Sequence, residues 1–287
     1  MRFPLRTSLL ALCLCVPLSA QAHRAWLLPS ATVLSGDNAW VTIDAAVSND
    51  LFYFEHFPLR IASIGAPPAG MPQGRGGAGA ALHITAPDGS SVAAQNGAMG
   101  RYRSTFDFEV KQRGTYKVAV LNDGVFASYK VGNETKRWRG TAENFAKEVP
   151  ADAQGLQASL IQSRIEVFIT SGKPTKETLK VTGKGLELEP ITHPNDLVSD
   201  TPATFRMLID GKPAANIKVE VVPGGNRYRD KLGDMALTTD QDGKFTVKWP
   251  GAGMYWMEAT LRDDKTGAAN LKQRRAAYIA TLEVLPP

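Results

Sequence analysis

Residues 210–223 (DGKPAANIKVEVVP) and 238–259 (TTDQDGKFTVKWPGAGMYWMEA) decide the fold class of this chain. Each stretch has an Asp-Gly pair followed by a run in which β-branched or aromatic residues alternate with polar ones. A period of two is typical of a strand with one buried face, and Asp-Gly favours hairpin turns. The two stretches therefore predict strands at 217–222, 244–249 and 254–261.

The same pattern recurs along the rest of the chain, between clusters of Gly, Pro, Asn and Asp. It predicts further strands at 39–47, 83–86, 103–110, 114–121, 160–170, 186–190, 203–209 and 277–285. Only 141–157 favours a helix, which Pro150 interrupts. We expect an all-β protein of two tandem β-sandwich domains, 23–175 and 176–287, because the length exceeds one typical domain. The second domain resembles the transthyretin-like or Ig-like sandwich.

The first 22 residues are typical of a cleaved secretory signal peptide. Arg2 and Arg6 precede a short apolar run at 9–16, and Ala20-Gln21-Ala22 provides small residues at the cleavage site. This pattern predicts a periplasmic protein that begins at His23. Both cysteines of the chain lie in the leader, so the exported protein would hold metal through nitrogen, oxygen or thioether sulfur.

The charge pattern excludes one class of partner. The chain carries 33 Lys and Arg against 28 Asp and Glu, a formal charge of +5 that falls by two when the leader is removed. Charges of both signs are interspersed, without the clustered basic stripe of a nucleic-acid-binding protein. No later stretch reaches the ~20 apolar residues of a membrane span. We therefore expect neither nucleic acid nor a membrane span.

His23 is the first candidate metal ligand. At a mature N-terminus it offers two donors, the free α-amine and the imidazole. A second histidine would complete the three-nitrogen arrangement known as a histidine brace. The alternative is that signal peptidase cuts before whichever residue follows Ala22.

His56 and His83 are the other candidate ligands among four histidines. His56 lies in LFYFEHFPL (51–59), which read as an extended strand places Phe52, Phe54 and His56 on one face. Such a histidine is equally typical of a packed core residue. His83 begins the strand LHIT, and His193 precedes a proline in a loop.

The sequence contains no motif that predicts an enzyme. It has no Gly-Lys-Ser/Thr phosphate loop, no Gly-x-Ser-x-Gly elbow and no His-Glu-x-x-His helix. We therefore expect no catalytic residue and no organic cofactor. A histidine-brace copper oxygenase remains an alternative, because such enzymes also mature to an N-terminal histidine.

Four segments resemble the bacterial domain-of-unknown-function family 4198: HRAWLLPSATVLSG, VSNDLFYFEHFPLR, VFITSGKPT with GLELEPITHPNDL, and the closing DGKPAANIKVEVVPG with TTDQDGKFTVKWPGAGMYW. The resemblance implies a periplasmic component of cobalt or nickel uptake, working beside an inner-membrane transporter or an outer-membrane receptor. Nitrogen donors would favour copper, so nickel, cobalt and copper stay open. The competing interpretation is a docking module for a transport complex that binds no metal of its own.

Overall fold

A computed structural model of the chain describes residues 23–36, 39–66, 79–150, 152–267 and 271–287. The predicted signal peptide, 1–22, lies outside these residues. The predicted all-β class with one short helical segment is confirmed, and no helix in the described part is long and apolar enough to cross a membrane.

Nineteen strands and one α-helix form the described chain. The first eleven strands are β1 (Arg24–Pro29), β2 (Val33–Leu34), β3 (Ala39–Ser48), β4 (Phe57–Pro58), β5 (Ala81–Thr85), β6 (Ser91–Val92), β7 (Gln95–Met99), β8 (Ser104–Val110), β9 (Gly114–Val131), β10 (Glu134–Gly140) and β11 (Gln157–Ser171). The helix α1 (Ala142–Glu148) lies between β10 and β11. The last eight strands are β12 (Leu186–Pro190), β13 (Ala203–Ile209), β14 (Lys212–Pro213), β15 (Lys218–Pro223), β16 (Met235–Thr238), β17 (Lys244–Val247), β18 (Gly253–Asp263) and β19 (Gln273–Val284).

The first sandwich packs a sheet in the order β1-β3-β8-β7, with β4 beside β3, on the β11-β9-β5-β6 part of a larger sheet. Alternation along the strands fills its core. In β8, for example, every second residue from Ser104 to Val110 is buried. The core includes Trp26, Ile43, Phe106, Phe108, Tyr116, Val118 and Val167.

The second sandwich packs a four-stranded sheet of β12, β13, β14 and β17 on the β16-β15-β18-β19 part of the larger sheet. Two of its strands, β12 and β13, have the bounds that alternation predicts. Its core includes Phe205, Met207, Val247, Met257 and Tyr278. The predicted β-sandwich in the second half is therefore confirmed.

One ten-stranded sheet runs through both sandwiches. Its central contact is the parallel pairing of β11 with β19, from Ser159 opposite Gln273 to Val167 opposite Thr281. On its other side β11 pairs antiparallel with β9. The predicted boundary at 175 and 176 follows the end of β11, and the two parts are joined edge to edge rather than through a linker.

The outer end of the larger sheet is longer than the sequence predicts. The strand predicted at 114–121 continues through Asn122-Asp123-Gly124 to Val131, because β11 pairs with β9 along the whole of this stretch. The helix expected over 141–157 forms only at Ala142–Glu148. It ends just before Pro150, which has no N–H to donate and disfavours a helical conformation at the residue before it. The helix packs Phe145 against Val125, Ala127 and Tyr129.

Candidate functional site

The two foremost candidate histidines meet at the end of β3. Strand β1 pairs with one edge of β3, with Ala25 opposite Val47, and β4 pairs with the other edge, with Phe57 opposite the same Val47. His23 directly precedes β1, and His56 directly precedes β4. The register of these strands therefore places both histidines beside the last residues of β3.

The His23 and His56 rings are in contact. Their centroids are 3.9 Å apart, with an angle of 31° between the ring planes. The Phe57 ring lies 4.4 Å from the His56 ring and 5.7 Å from the His23 ring. All three side chains are exposed. The arrangement is a surface pair of imidazoles beside one aromatic ring.

Asn49 is a polar neighbour that sequence analysis missed. Its side-chain Oδ1 lies 2.9 Å from His23 Nδ1. When the neutral ring donates its Nδ1 proton to this oxygen, Nε2 is left with a free lone pair. Chelation by the α-amine and Nδ1 together would instead replace this hydrogen bond.

The loop before His56 corrects the expected strand over 51–59. Only Phe57 and Pro58 are in a strand, and Phe52 has a positive φ of 60°, which ends any extended run. Glu55 holds the loop: its Oε1 accepts the backbone N–H of Asn49 at 2.8 Å and of Asp50 at 3.0 Å. The Glu55 carboxylate is thus engaged in shaping the loop.

Two tryptophans fix β1 beneath the histidine pair. Trp26 packs its ring 5.5 Å from the Phe52 and Phe54 rings and donates Nε1–H to Ser48 Oγ at 2.8 Å. Trp256 of β18 donates Nε1–H to the backbone oxygen of Ala25 at 2.9 Å. The strand that carries His23 is therefore anchored to both sandwiches.

The other two histidines lie elsewhere. His83 is exposed on β5, opposite Ala119 of β9, and takes no part in the contact between His23 and His56. His193 is held by hydrogen bonds at both ring nitrogens, to Asn195 N at 3.1 Å and to Thr175 O at 3.0 Å. Burial lowers the pKa of His193. This histidine is a structural residue.

In the described residues, no carboxylate or thiol adds a third metal ligand to His23 and His56. Across the described ranges, no group of three or more His, Cys, Asp and Glu side chains could hold a metal ion. A site at His23 and His56 would therefore need a third donor of another kind. The α-amine of His23, which cleavage after Ala22 would create, is such a donor.

A cavity of about 440 Å³ lies beside the same loop, between Phe52 and the second sandwich. Leu28, Met254 and Tyr255 make its wall largely apolar. Arg229 is its one charged lining residue, and this guanidinium donates to the backbone oxygens of Pro223, Gly224 and Leu232. The cavity therefore offers no donor set for a metal.

Next to β1, Glu258 is a carboxyl group with an unusual pKa. It lies on β18 directly opposite Glu220, and Arg24 pairs with Glu220 at 3.0 Å. Burial and the Glu220 charge raise the pKa of Glu258 to about 7, against the opposing effect of Arg24. The folded protein thus favours the protonated form of the Glu258 carboxyl. Its contribution to the free energy of unfolding is full below about pH 4.5, and it is lost as the pH rises through 7.

We expect Glu258→Gln to stabilise the protein at alkaline pH, because glutamine cannot ionise. Urea unfolding at pH 8 should give a free energy about 1–3 kcal/mol above that of the wild type. The difference should disappear near pH 4. Glu134→Gln, at an exposed position, is the control and should show no such pH dependence. A constant difference between the two proteins across this pH range would contradict the assignment.

Comparison with known proteins gives one informative match. No curated protein matches the sequence. Among solved structures, the chain is similar to the D0–D1 domain of intimin, with 11% identity over 90% of this chain and 97% of that chain and a TM-score of 0.21. Residues 20–263 match the family described as a domain of unknown function, DUF4198. Because this match covers most of the sequence and includes both histidines of the pair, the chain belongs to the DUF4198 family.

Proposed function

We propose that this protein is exported to the periplasm, is cleaved after Ala22 and binds one divalent transition-metal ion for uptake or delivery. The ligands are the α-amine and imidazole of His23 and the imidazole of His56. The single observation that carries the proposal is the contact between the two imidazole rings, 3.9 Å apart between centroids.

The chemistry of the donor set supports this proposal. Three nitrogen donors suit nickel, cobalt and copper, and copper binds such donors most strongly among these ions. The α-amine has an ordinary pKa near 8, so a metal ion can displace its proton at neutral pH. Phe57 against both rings restricts their rotamers, which reduces the entropy lost on binding.

The site suits a carrier better than an enzyme. Both histidines and Phe57 are exposed, so a bound ion would be accessible to a partner such as an inner-membrane transporter or an outer-membrane receptor. Ligands at one edge of the molecule allow direct transfer of the ion. The same geometry supports a role in uptake or delivery.

The full chain should be expressed with its leader and purified from the periplasmic fraction of a bacterial host. Intact mass should show a protein that begins at His23. We expect one Ni, Co or Cu ion per chain by titration, with Cu bound most tightly. An extra alanine before His23, which moves the amine away from the imidazole, should weaken binding at least 100-fold.

Two substitutions sharpen this test. His56→Ala should weaken binding at least tenfold, because one of the three nitrogen donors is lost. His83→Ala is the matched control, since His83 is equally exposed on another sheet, and should leave affinity unchanged. Equal affinities of the wild type and the alanine-extended form would refute the N-terminal site. Absence of bound metal at saturating supply would favour the docking module.

A further inference from the structure

Among the residues that the structure describes, nothing covers part of one face of the ten-stranded sheet. The β1-β3-β8-β7 sheet covers this face at one end of β9, β11, β19 and β18, where Val118, Val167 and Trp256 are buried in the first core. Towards the other end, the same face continues over β10, β9, β11, β19 and β18 with exposed side chains. Phe126, 43% exposed, lies near its middle, between Arg139 of β10 and Ser159 of β11.

Five exposed cations project from this surface, which we call the arginine face. Strand registers place them on one side of the sheet, because residues directly opposite each other share a face. Its cations are Lys130, Arg137, Arg139, Arg262 and Arg275.

The cations of the arginine face lack acidic partners. Within the described part of the chain, none of the five forms an ion pair. Arg139 donates to Asn122 Oδ1 at 3.1 Å, and Arg275 lies 3.4 Å from Gln273 Oε1. The outward residues between the cations are uncharged, including Ser128, Gln157, Ser159 and Ser163. The face therefore carries a concentrated positive charge.

The opposite side of these strands is buried by the protein itself. Tyr129 of β9 packs against α1, and Tyr278 of β19 packs in the core of the second sandwich. The strands are thus held rigidly from behind. The arginine face is a fixed platform rather than a loose segment.

The positions of Arg262 and Arg275 are the strongest argument that this face binds an anion. They are directly opposite each other on the adjacent strands β18 and β19. Like charges in this position repel each other and destabilise a sheet. An anion between or above the two guanidinium groups would remove that repulsion, and guanidinium binds phosphate oxygens in a bidentate manner.

We propose that the arginine face docks on an anionic phospholipid surface. The cations lie on four strands, β10, β9, β19 and β18, with β11 between the two pairs of strands. Because neighbouring strands are about 4.8 Å apart, the cations form a broad plane rather than a point site. A plane of this width fits many phosphate headgroups at once, whereas a single bound ion would engage only two of the arginines. The exposed ring of Phe126 supplies an apolar group of the kind that inserts at the boundary between headgroups and acyl chains.

Vesicle co-sedimentation tests the proposal, with EDTA present so that the metal site has no influence. The exported protein should bind vesicles of equal parts phosphatidylglycerol and phosphatidylcholine, and not vesicles of phosphatidylcholine alone. Vesicle binding should weaken steeply between about 50 and 300 mM NaCl, because salt screens the attraction between the arginine face and the headgroups. Arg262→Gln with Arg275→Gln should weaken it at least tenfold.

The control removes the same charge from another surface. Lys212 in β14 and Lys248 directly after β17 are exposed on the second sandwich, and their replacement by glutamine should change vesicle binding less than twofold. The arginine variant should unfold at the same or a higher urea concentration than the wild type, because the repulsion is gone. Three results would overturn the proposal: no binding to the anionic vesicles, equal losses in the two variants, or retention by a soluble sulfated polysaccharide without vesicle binding.

Discussion

Replacing Trp256 by alanine should lower the free energy of unfolding by about 3–5 kcal/mol. The side chain is only 1% exposed and packs in the first core although it belongs to β18, with Val222 and Ile279 beside it. Its removal leaves a large void and also deprives the Ala25 carbonyl of its Nε1–H donor. Urea unfolding measures the loss directly.

Trp40→Ala is the matched control for this prediction. Trp40 is 47% exposed on β3, so its truncation should change stability by no more than about 0.5 kcal/mol. Metal titration of the Trp256 variant adds a second measurement, since His23 directly precedes β1. Similar stability losses in the two variants would contradict the prediction, because they would show that the contacts of Trp256 with the first core and with Ala25 contribute little to stability.

Replacing Arg164 by methionine should destabilise the protein by a comparable amount, about 3–5 kcal/mol. Arg164 lies 3.1 Å from Glu166 and 3.4 Å from Glu187, and both glutamates are 3% exposed. Without the guanidinium, two carboxylates remain buried where β11, β12 and β19 meet. Tyr278 still donates its hydroxyl to Glu166 at 2.8 Å, and Glu187 still accepts the backbone N–H groups of Thr182 and Gly183 at 2.9 and 2.7 Å, but the positive charge that faced both carboxylates is lost.

Two further variants separate burial from charge loss. Lys111→Met breaks the surface pair with Glu109, where the lysine is 71% exposed, and should cost at most about 1 kcal/mol. Adding Glu166→Leu to Arg164→Met should recover part of the stability, because one of the two buried negative charges that Arg164 neutralised is then removed. A double variant less stable than the single one would contradict this account. Equilibrium unfolding at pH 7 distinguishes the outcomes.

The strands that the sequence predicts well are those with one face in a core. β8 and β13 alternate in burial, and their bounds follow from the pattern. β12 alternates in sequence, which predicts its bounds, although its Glu187 is buried as well as its leucines. β10 was missed because nearly every residue of ETKRWRG is exposed, so that no apolar period exists. β1 was missed because Trp26 and Leu27 are both buried although they are consecutive. β10 forms because it pairs in a hairpin with β9, the strand directly before it, and β1 forms because it pairs with β3.

The histidine pair was predicted for partly the wrong reason. The predicted cleavage site singled out His23, and the neighbouring aromatic residues singled out His56. The strand alternation expected around His56 does not exist. Their contact results from the pairing of β1 and β4 with opposite edges of β3, a long-range register that local patterns do not contain. The contribution of Asn49 has the same origin. The arginine face was also invisible, because its residues are widely separated along the chain.

The parallel pairing of β11 with β19 has a consequence for the order of folding. β11 lies in the interior of the ten-stranded sheet and pairs with β9, β2 and β19, of which β19 is synthesised long after β11. Contacts of such large sequence separation form slowly, since much chain entropy is lost before they are made. A chain that emerges from its N-terminus cannot complete the sheet until residues 273–284 arrive. Until then, the stretch of β11 from Ser159 to Val167 lacks its partner β19.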